Sequence, residues 1–308
     1  MQPLVEAARS HCYVENLGNR ADSLHRRIKQ AYEEDIQKAY LKILTPIIKS
    51  MHLGPVMLAC DFTEEDFYGY TSDLWLHHWT GEEGVQANYK FAVLSLVGKH
   101  KIPIIAIPVH CGMSKEEIFN LFLLIARRLF KHIKCILLDA GFYSGEVIEV
   151  LGQIKYLIRA PHNKAIDTYI EATNVWGRHN HVIVWKGSKT THRTKTNIII
   201  VKQVQFKKKK VDCSYATNMQ LRDGMNYVHL YCRRWQIETN FRMEDQVRIK
   251  SKSIEIIIRY FYFMISLLLH ALWQLFWQGK ISFDAFKVHL ASQLFLACYQ
   301  IEYAHSVF

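Results

Sequence analysis

The apolar residues of the first fifty positions recur at the spacing of an α-helix. Ile36, Tyr40 and Leu44 follow one another at intervals of four, and Leu24 and Ile28 show the same interval. That interval places each set on one face of a helix, with basic side chains on the other faces. We therefore predict a helical N-terminal segment over residues 1–52, which ends where Pro and Gly interrupt the pattern.

From residue 56 the pattern becomes that of a β-sheet. Residues 56–60 form a continuous apolar run, which is typical of a strand buried on both faces. Asp61 follows this run, and we expect it to end the strand. An acidic loop is predicted to begin at Glu64, and further strands are predicted at about residues 89–97 and 102–109.

A helix and two more strands extend this sheet. Ser114 has the character of a helix N-cap, and two glutamates follow it in the first turn of a helix that runs to about residue 130. The apolar run at residues 135–138 predicts a second buried strand, which ends at Asp139. A short helix then leads to a strand at residues 156–159. This alternation indicates a mixed α/β sheet.

Residues 161–225 differ from the rest of the chain in composition. They are rich in β-forming residues and carry twelve Lys and Arg against four Asp and Glu, most of the chain's net charge of +11. We predict an inserted β-stranded module with a face toward a polyanion. Its most basic stretch is the run Lys207, Lys208, Lys209 and Lys210, which is either a phosphate-contacting hairpin or a solvated turn.

The stretch from residue 231 to residue 245 contains no Gly or Pro and is predicted to be one helix. On such a helix Tyr231, Arg234 and Glu238 fall within roughly 60° of one another, and Asp245 joins them. A hydroxyl, a guanidinium and a carboxylate therefore share one face. From this stretch alone, that face is either a functional surface or a solvated one.

The bulk composition narrows the class of protein. A net charge of +11 and a pI near 9.2 favour a polyanionic partner or an anionic membrane surface. The seven cysteines are scattered, which argues against a disulfide framework and for a reducing cytosol. Residues 260–277 are almost wholly apolar, so they form either a buried core helix or a membrane span.

Three acidic residues are the candidates for chemistry. Asp61 and Asp139 each follow a buried strand, and Glu238 lies on a predicted helix face. Carboxylates are costly to bury unless they are paired or bind metal, and a few converging carboxylates suit Mg²⁺ or Mn²⁺. A strand-end aspartate taken singly is more often a turn or cap residue. Phosphate loops of the Walker type, GxSxG and GxGxxG motifs and zinc-like His/Cys spacings do not occur.

Three motifs together resemble the DDE transposases of bacterial and archaeal insertion sequences. They are Val-Met-Leu-Ala-Cys-Asp61-Phe-Thr, Leu-Leu-Asp139-Ala-Gly-Phe-Tyr-Ser and Tyr231-x2-Arg234-x3-Glu238, in that order along the chain. The apolar helix after residue 258 is similar to the one that closes that family's catalytic core. The resemblance covers roughly residues 55–278 and accounts for the apolar helix without a membrane.

The resemblance implies an RNase H-like mixed sheet flanked by helices, with a β-rich insertion and a short helical N-terminal segment. The core would span residues 53–160 and 226–308, the insertion residues 161–225, and the N-terminal segment residues 1–52. That segment is either a small DNA-binding module or a packing helix.

The resemblance also implies a DNA transposase that binds two Mg²⁺ or Mn²⁺ ions through Asp61, Asp139 and Glu238. The catalytic and metal-binding residues would be the same three. Tyr231 and Arg234 would contact DNA. The expected partners are double-stranded DNA, as terminal inverted repeats and target, and a second copy of the chain in a synaptic dimer. The expected location is the cytoplasm of a prokaryote, on the nucleoid, without a membrane.

The chain departs from the family pattern in two places. The family signature has a lysine seven positions after the glutamate, where this chain has Asp245; Arg242, Arg248 and Lys250 are the candidates to replace that DNA contact. Only about 50 residues precede the core, which is short for a module that reads terminal repeats. Two alternatives therefore remain: a degenerate or truncated DNA-binding remnant without catalysis, and an RNase H-like nuclease without strand transfer.

Overall fold

The structure is a computed structural model that describes residues 7, 10, 12–17, 20–69, 73–78, 85–187, 190–207, 209–236, 248–277 and 280–306. Its α-helices are α1 (Arg20–Ile28), α2 (Glu33–Ser50), α3 (Lys115–Leu129), α4 (Gly145–Leu151), α5 (Lys164–Ala172), α6 (Gly224–Cys232), α7 (Ile256–Phe276) and α8 (Phe283–Ser306). Short 3-10 helices lie at Val14–Leu17 and Ala140–Phe142.

Nine strands form one mixed sheet. They are β1 (Val56–Phe67), β2 (Leu76–His78), β3 (Ala87–Val97), β4 (Ile102–Val109), β5 (Ile133–Leu138), β6 (Tyr156–Arg159), β7 (Trp176–Lys186), β8 (Thr191–Phe206) and β9 (Lys209–Thr217). Their order is β2-β3-β1-β5-β6-β9-β8-β7, and β4 also pairs with β3. The three strands β1, β5 and β6 are parallel to one another, and the other pairs are antiparallel.

Different helices pack against the two faces of this sheet. Helices α2, α3, α4, α5 and α7 contribute to the large core on one face, together with Leu58 and Cys60 of β1. The other face holds a smaller core, which includes Met57 and Ala59 of β1 and is covered by α6. Side chains alternate along a strand, so consecutive residues of β1 serve opposite cores.

The apolar helix predicted near residue 260 is a core helix. Helix α7 is the one helix of the described residues that is long and apolar enough to cross a membrane, but 72% of its most apolar 18-residue window is buried inside the fold. Tyr260 and Phe263 enter the large core, whereas Tyr262 and Trp273 enter a third cluster with residues of the N-terminal segment and α8. Burial on two sides accounts for its lack of a polar face.

Several local predictions are confirmed. Ser114 caps α3 in a capping box with Glu117, the strands at 102–109 and 156–159 have the predicted bounds, and α2 buries Ile36, Tyr40 and Leu44 against the large core. The structure shows free thiols at Cys12, Cys60, Cys111, Cys135, Cys213 and Cys232.

Two predictions of local structure are wrong. Strand β1 does not end at Asp61 but continues to Phe67, so the expected acidic loop begins as a strand that pairs with β3. The stretch from residue 231 does not start as one helix: α6 ends at Cys232, and a turn follows at Arg233 and Arg234. The strands within residues 161–225 continue the central sheet, because β9 pairs with β6.

Candidate active site

Asp61 and Asp139 lie side by side on one face of the sheet. Cys60 of β1 pairs with Leu138 of β5, and each aspartate is the next residue along. Alternation places Asp61 on the same face as Ala59, and Asp139 on the same face as Leu137. Ala59 and Leu137 belong to the core beneath α6. Both carboxylates therefore emerge on the face that α6 covers, at the same edge of that core.

An aromatic stack on the opposite face joins the two segments that carry these aspartates. Phe62, which follows Asp61, stacks on Phe142 with ring centroids 4.4 Å apart and an interplanar angle of 16°. Phe142 is fully buried in the 3-10 helix that begins after Asp139. Such a stack contributes beyond its buried area, and it restrains the backbone on which the two carboxylates depend.

Arg234 binds both aspartates. Its Nη1 donates to Asp61 Oδ2 at 2.6 Å, and its Nη2 lies 3.7 Å from Asp139 Oδ1. The side chains of Arg234, Asp61 and Asp139 are 7%, 15% and 42% exposed. A guanidinium offers several donors in a fixed plane, so one arginine can compensate two neighbouring carboxylates. Asp139 is the member of the set that solvent and a ligand can reach.

Tyr231 supports the same carboxylate from α6. Its hydroxyl donates to Asp139 Oδ1 at 3.4 Å, its ring lies 5.4 Å from the Arg234 guanidinium, and it also contacts the ring of Tyr215. Burial raises the pKa of Tyr231 well above its ordinary value, although Arg234 lowers it in part. The phenol is therefore neutral at physiological pH and acts as a hydrogen-bond donor to Asp139.

The acidic residues near Asp61 that compete for its role are engaged elsewhere. Glu64 pairs with Lys90 at 3.3 Å and accepts a hydrogen bond from Asn88, and Glu65 pairs with Arg259 of α7. Neither contacts Asp139 among the interactions of the described residues. The geometry thus distinguishes Asp61 from its acidic neighbours, which the sequence alone does not do.

Arg159 is a site residue that the sequence analysis missed. Leu138 pairs with Ile158 in the parallel register of β5 and β6, so Arg159 stands beside Asp139, on the face of Leu137 and Leu157. Its guanidinium lies over the Tyr215 ring at 5.6 Å and donates to the Asp212 carbonyl at 3.4 Å. Asp61, Asp139 and Arg159 therefore follow one another across three parallel strands. The sequence signal that could have identified Arg159 is its position as a charged residue directly after the apolar run at 156–158.

The other predicted DNA contacts lie on two surfaces. Arg248 donates to the Glu64 carbonyl at 3.3 Å, and it lines a cleft of ≈ 550 Å³ together with Lys250 beyond the far end of β1. Lys207 and Lys209 are exposed at the tip of the β8–β9 hairpin, as is Lys210. Phe206 at this tip packs against Trp235, with ring centroids 5.5 Å apart, which places the hairpin beside the turn that carries Arg234.

Four positions named in the sequence analysis fall outside the described residues. They are Lys208, Glu238, Arg242 and Asp245. Within the described part of the chain, no group of three or more His, Cys, Asp or Glu side chains could hold a metal ion. Asp61 and Asp139 are two of the three predicted ligands, and their carboxylate oxygens are of the type that Mg²⁺ and Mn²⁺ bind. Two of the predicted oxygen donors are thus adjacent, and the third lies outside the described residues.

Comparison with solved structures identifies a transposase of the same fold. The piggyBac transposase, in a cryo-EM structure of its synaptic complex with hairpin DNA, aligns with a TM-score of 0.57 at 13% identity, over 95% of this chain and 69% of that chain. The NurA nuclease from Sulfolobus solfataricus aligns with a TM-score of 0.29 at 8% identity, over 68% of this chain and 84% of that chain. No curated protein sequence matches the chain.

A protein-family model described as "Transposase DDE domain" matches residues 93–273. The matched segment includes Asp139, Tyr231, Arg234 and the undescribed Glu238, while Asp61 precedes it. More than half of the chain is covered, and the fold agrees with that of a known transposase. The chain therefore belongs to the DDE-domain transposases and is a DNA transposase.

Proposed function

We propose that this transposase uses Asp61, Asp139 and Glu238 to hydrolyse a phosphodiester at each end of an insertion sequence and to join the freed 3′ ends to target DNA. The observation that carries the proposal is the placement of Asp61 and Asp139 on one face of the sheet, both in contact with Arg234. Two adjacent carboxylates repel each other, so a cation must compensate them.

Transposases of this family generally use divalent metal ions, and Asp61 and Asp139 would hold Mg²⁺ or Mn²⁺ here, with Glu238 as the third ligand. Two such ions, when bound, activate the attacking water or hydroxyl and stabilise the leaving oxygen. Arg234 compensates the negative charge of Asp61, and Tyr231 orients Asp139 by its hydrogen bond. The partly exposed carboxylate of Asp139 faces the approaching DNA.

The partner that we propose is double-stranded DNA, as the terminal inverted repeats of the element and as target. The exposed lysines of the β8–β9 hairpin and Lys250 supply positive charge around the carboxylates. Tyr231 and Arg234 already bind Asp61 and Asp139. They would therefore contact DNA only through those of their atoms that are not used in these bonds. Joining two ends requires two active sites, so we propose a homodimer that acts on the nucleoid in the cytoplasm of a prokaryote.

We also propose that the chain consists of a catalytic core, a basic extension of its sheet and an N-terminal segment. Residues 53–160 and 226–308 would form the catalytic core, and residues 161–225 would form a basic extension of its sheet. Within residues 1–52, helix α2 packs into the large core, which favours a packing role for that helix. A DNA-binding role for the preceding residues remains a prediction.

The test compares Asp61→Asn and Asp139→Asn with the parent on a duplex that carries one element end. We expect both variants to bind the duplex with unchanged affinity but to nick it below detection in Mg²⁺ or Mn²⁺. Mn²⁺ binding, followed by electron paramagnetic resonance, should weaken in both. The matched control is Asp167→Asn on α5. It removes an exposed carboxylate that pairs with His162, and this variant should nick the duplex at the parental rate.

The products of the reaction distinguish the proposal from its alternatives. A transposase yields molecules in which the cut end is joined to target DNA. Cut ends without joined products would identify a nuclease, and salt-dependent binding without cleavage would identify a DNA-binding remnant. Nicking by Asp139→Asn at the parental rate would contradict the proposed site.

A further inference from the structure

A basic cleft lies on the same face of the sheet as Asp61 and Asp139. It is located near the starts of β1 and β5, whereas the two aspartates lie farther along these strands. Its volume is ≈ 370 Å³, and Lys134, Lys155, His229 and Arg233 contribute basic side chains to it. These four residues are exposed. No acidic side chain lines the cleft among the described residues.

The geometry of α6 explains why this cleft and the aspartates belong to one surface. Tyr227, Val228 and Tyr231 form the buried side of the helix, and Tyr231 reaches Asp139. Asn226 and His229, three residues apart, line the cleft from another side of the same helix. The helix therefore separates the cleft from the carboxylates while bordering both.

Arg233 and Arg234 are adjacent in the chain but contribute to different sites. Arg234 turns toward Asp61, whereas Arg233 Nη1 lies 3.5 Å from Met57 Sδ, near the start of β1. Neither Arg233 nor the two lysines of the cleft forms an ion pair with another residue of the described chain. Within the part of the chain that the structure describes, three cations without anionic partners thus share a recess.

The positive charges of Lys134, Lys155 and Arg233 all influence one residue of the cleft, Cys135. Burial raises the pKa of Cys135 to about 11, and Lys134, Arg233 and Lys155 each oppose this rise. Their positive potentials therefore overlap at Cys135. A recess of this kind attracts an anion, and for a chain that binds DNA the available anion is the phosphodiester backbone.

The spacing between the two sites suits a single DNA strand. Cys135 and Asp139 lie four residues apart along one strand direction, which corresponds to about 13 Å. This distance is comparable to the separation of phosphates a few nucleotides apart on one strand, since each step advances by about 3.4 Å along the helix axis and also turns around it. We propose that the cleft binds the DNA backbone a few nucleotides from the phosphodiester held at Asp61 and Asp139. This inference rests on the proposed function.

The experiment compares two variants that each remove three positive charges. The first is Lys134→Gln/Lys155→Gln/Arg233→Gln. The control is Lys42→Gln/Arg127→Gln/Arg128→Gln, whose residues are exposed on α2 and α3 and cover the opposite face of the sheet. The affinity of each for a labelled duplex of about 30 base pairs is measured between about 50 and 200 mM salt.

We expect the cleft variant to lose about two to three units from the slope of log affinity against log salt, because each lost phosphate contact removes about 0.9. The control should keep the parental slope to within about half a unit. Equal slopes for the two variants would overturn the inference, since general charge would then explain the effect. If the parent itself does not bind DNA, the proposed function fails.

A second measurement uses the unmodified protein and does not depend on the folding of a variant. Ethylation of single phosphates in the duplex should interfere with binding at the cleavage site and again a few nucleotides away on the same strand. Interference at the cleavage site alone would place no backbone in the cleft and would overturn the inference.

Discussion

Arg234 donates a hydrogen bond of 2.6 Å to Asp61, a residue 173 positions earlier in the chain. The pair connects the turn after α6 to the middle of β1, and both side chains are largely buried. A buried ion pair of this kind brings little net stability compared with apolar residues, but its separation is expensive. The contact therefore specifies the arrangement of the site more than it stabilises the fold.

Replacement of Arg234 by Gln is expected to destabilise the protein by about 3 kcal/mol, because it leaves the carboxylate of Asp61 buried without its cation. Urea unfolding measures this free energy. The adjacent Arg233→Gln, at an exposed position, should change it by less than about 0.5 kcal/mol. The double variant Asp61→Asn/Arg234→Gln should lose less than the sum of its single changes. Additive losses would show that the two side chains are not coupled.

Tyr231 combines a hydrogen bond with packing, and two substitutions separate these contributions. Tyr231→Phe removes the 3.4 Å bond to Asp139 and should cost no more than about 1 kcal/mol of unfolding free energy. Tyr231→Ala empties a buried site beneath α6 and should cost about 3–5 kcal/mol. Thermal and urea unfolding give both values. Equal losses would mean that the hydroxyl, rather than the ring, holds the helix in place.

Arg159→Gln is expected to weaken DNA binding at the active site. Arg159 stands beside Asp139 in the strand register, where its guanidinium can donate to a phosphate, and a charge-assisted hydrogen bond contributes about 1.5–3 kcal/mol. Titration of a duplex that carries the element end measures the change. Arg178→Gln on β7 removes the same charge at an exposed position and serves as control. If both variants bind like the parent, Arg159 has only a structural role.

His270 makes the stability of the protein depend on pH. It is fully buried on α7 beside Trp273 and Phe283, and burial lowers its pKa from 6.5 to about 4. The unfolded chain takes up a proton near pH 6.5 that the folded chain does not, so stability falls as the pH decreases from 6.5 to about 4.

The measurement compares the parent with His270→Gln by urea unfolding at several pH values. The parent should lose on the order of 3 kcal/mol more than the variant between these two pH values. Carboxylates that titrate in the same range contribute equally to both proteins, so the difference isolates His270. Parallel pH profiles would show that the imidazole accepts a proton in the folded state.

The strands near Asp61 and Asp139 were predictable because their signals are local. A continuous apolar run marks a strand buried on both faces, and such runs indicated the start of β1 and the strand β5 that precedes Asp139. Ser114 with Glu117 predicted the start of α3, since a capping box depends on four consecutive residues. The role of Glu238 remains a prediction, because that residue lies outside the described chain.

Local patterns did not predict where β1 and α6 stop or which distant residues meet. The break after Cys232 follows from the contacts of Arg234 with Asp61 and Asp139, which the helical propensity of the stretch does not contain. The continuation of β1 beyond Asp61 follows from its pairing with β3, which satisfies the backbone of the acidic residues.

The amino-acid sequence was sufficient to place the two aspartates directly after buried apolar runs and to anticipate a core helix at α7, because hydrophobic period and capping act over a few residues. Only the folded chain decided that Arg234 binds both aspartates, that Arg159 stands beside Asp139, and that residues 161–225 continue the central sheet. These relationships depend on strand register and on packing between distant segments, and neither is encoded in the spacing of neighbouring residues.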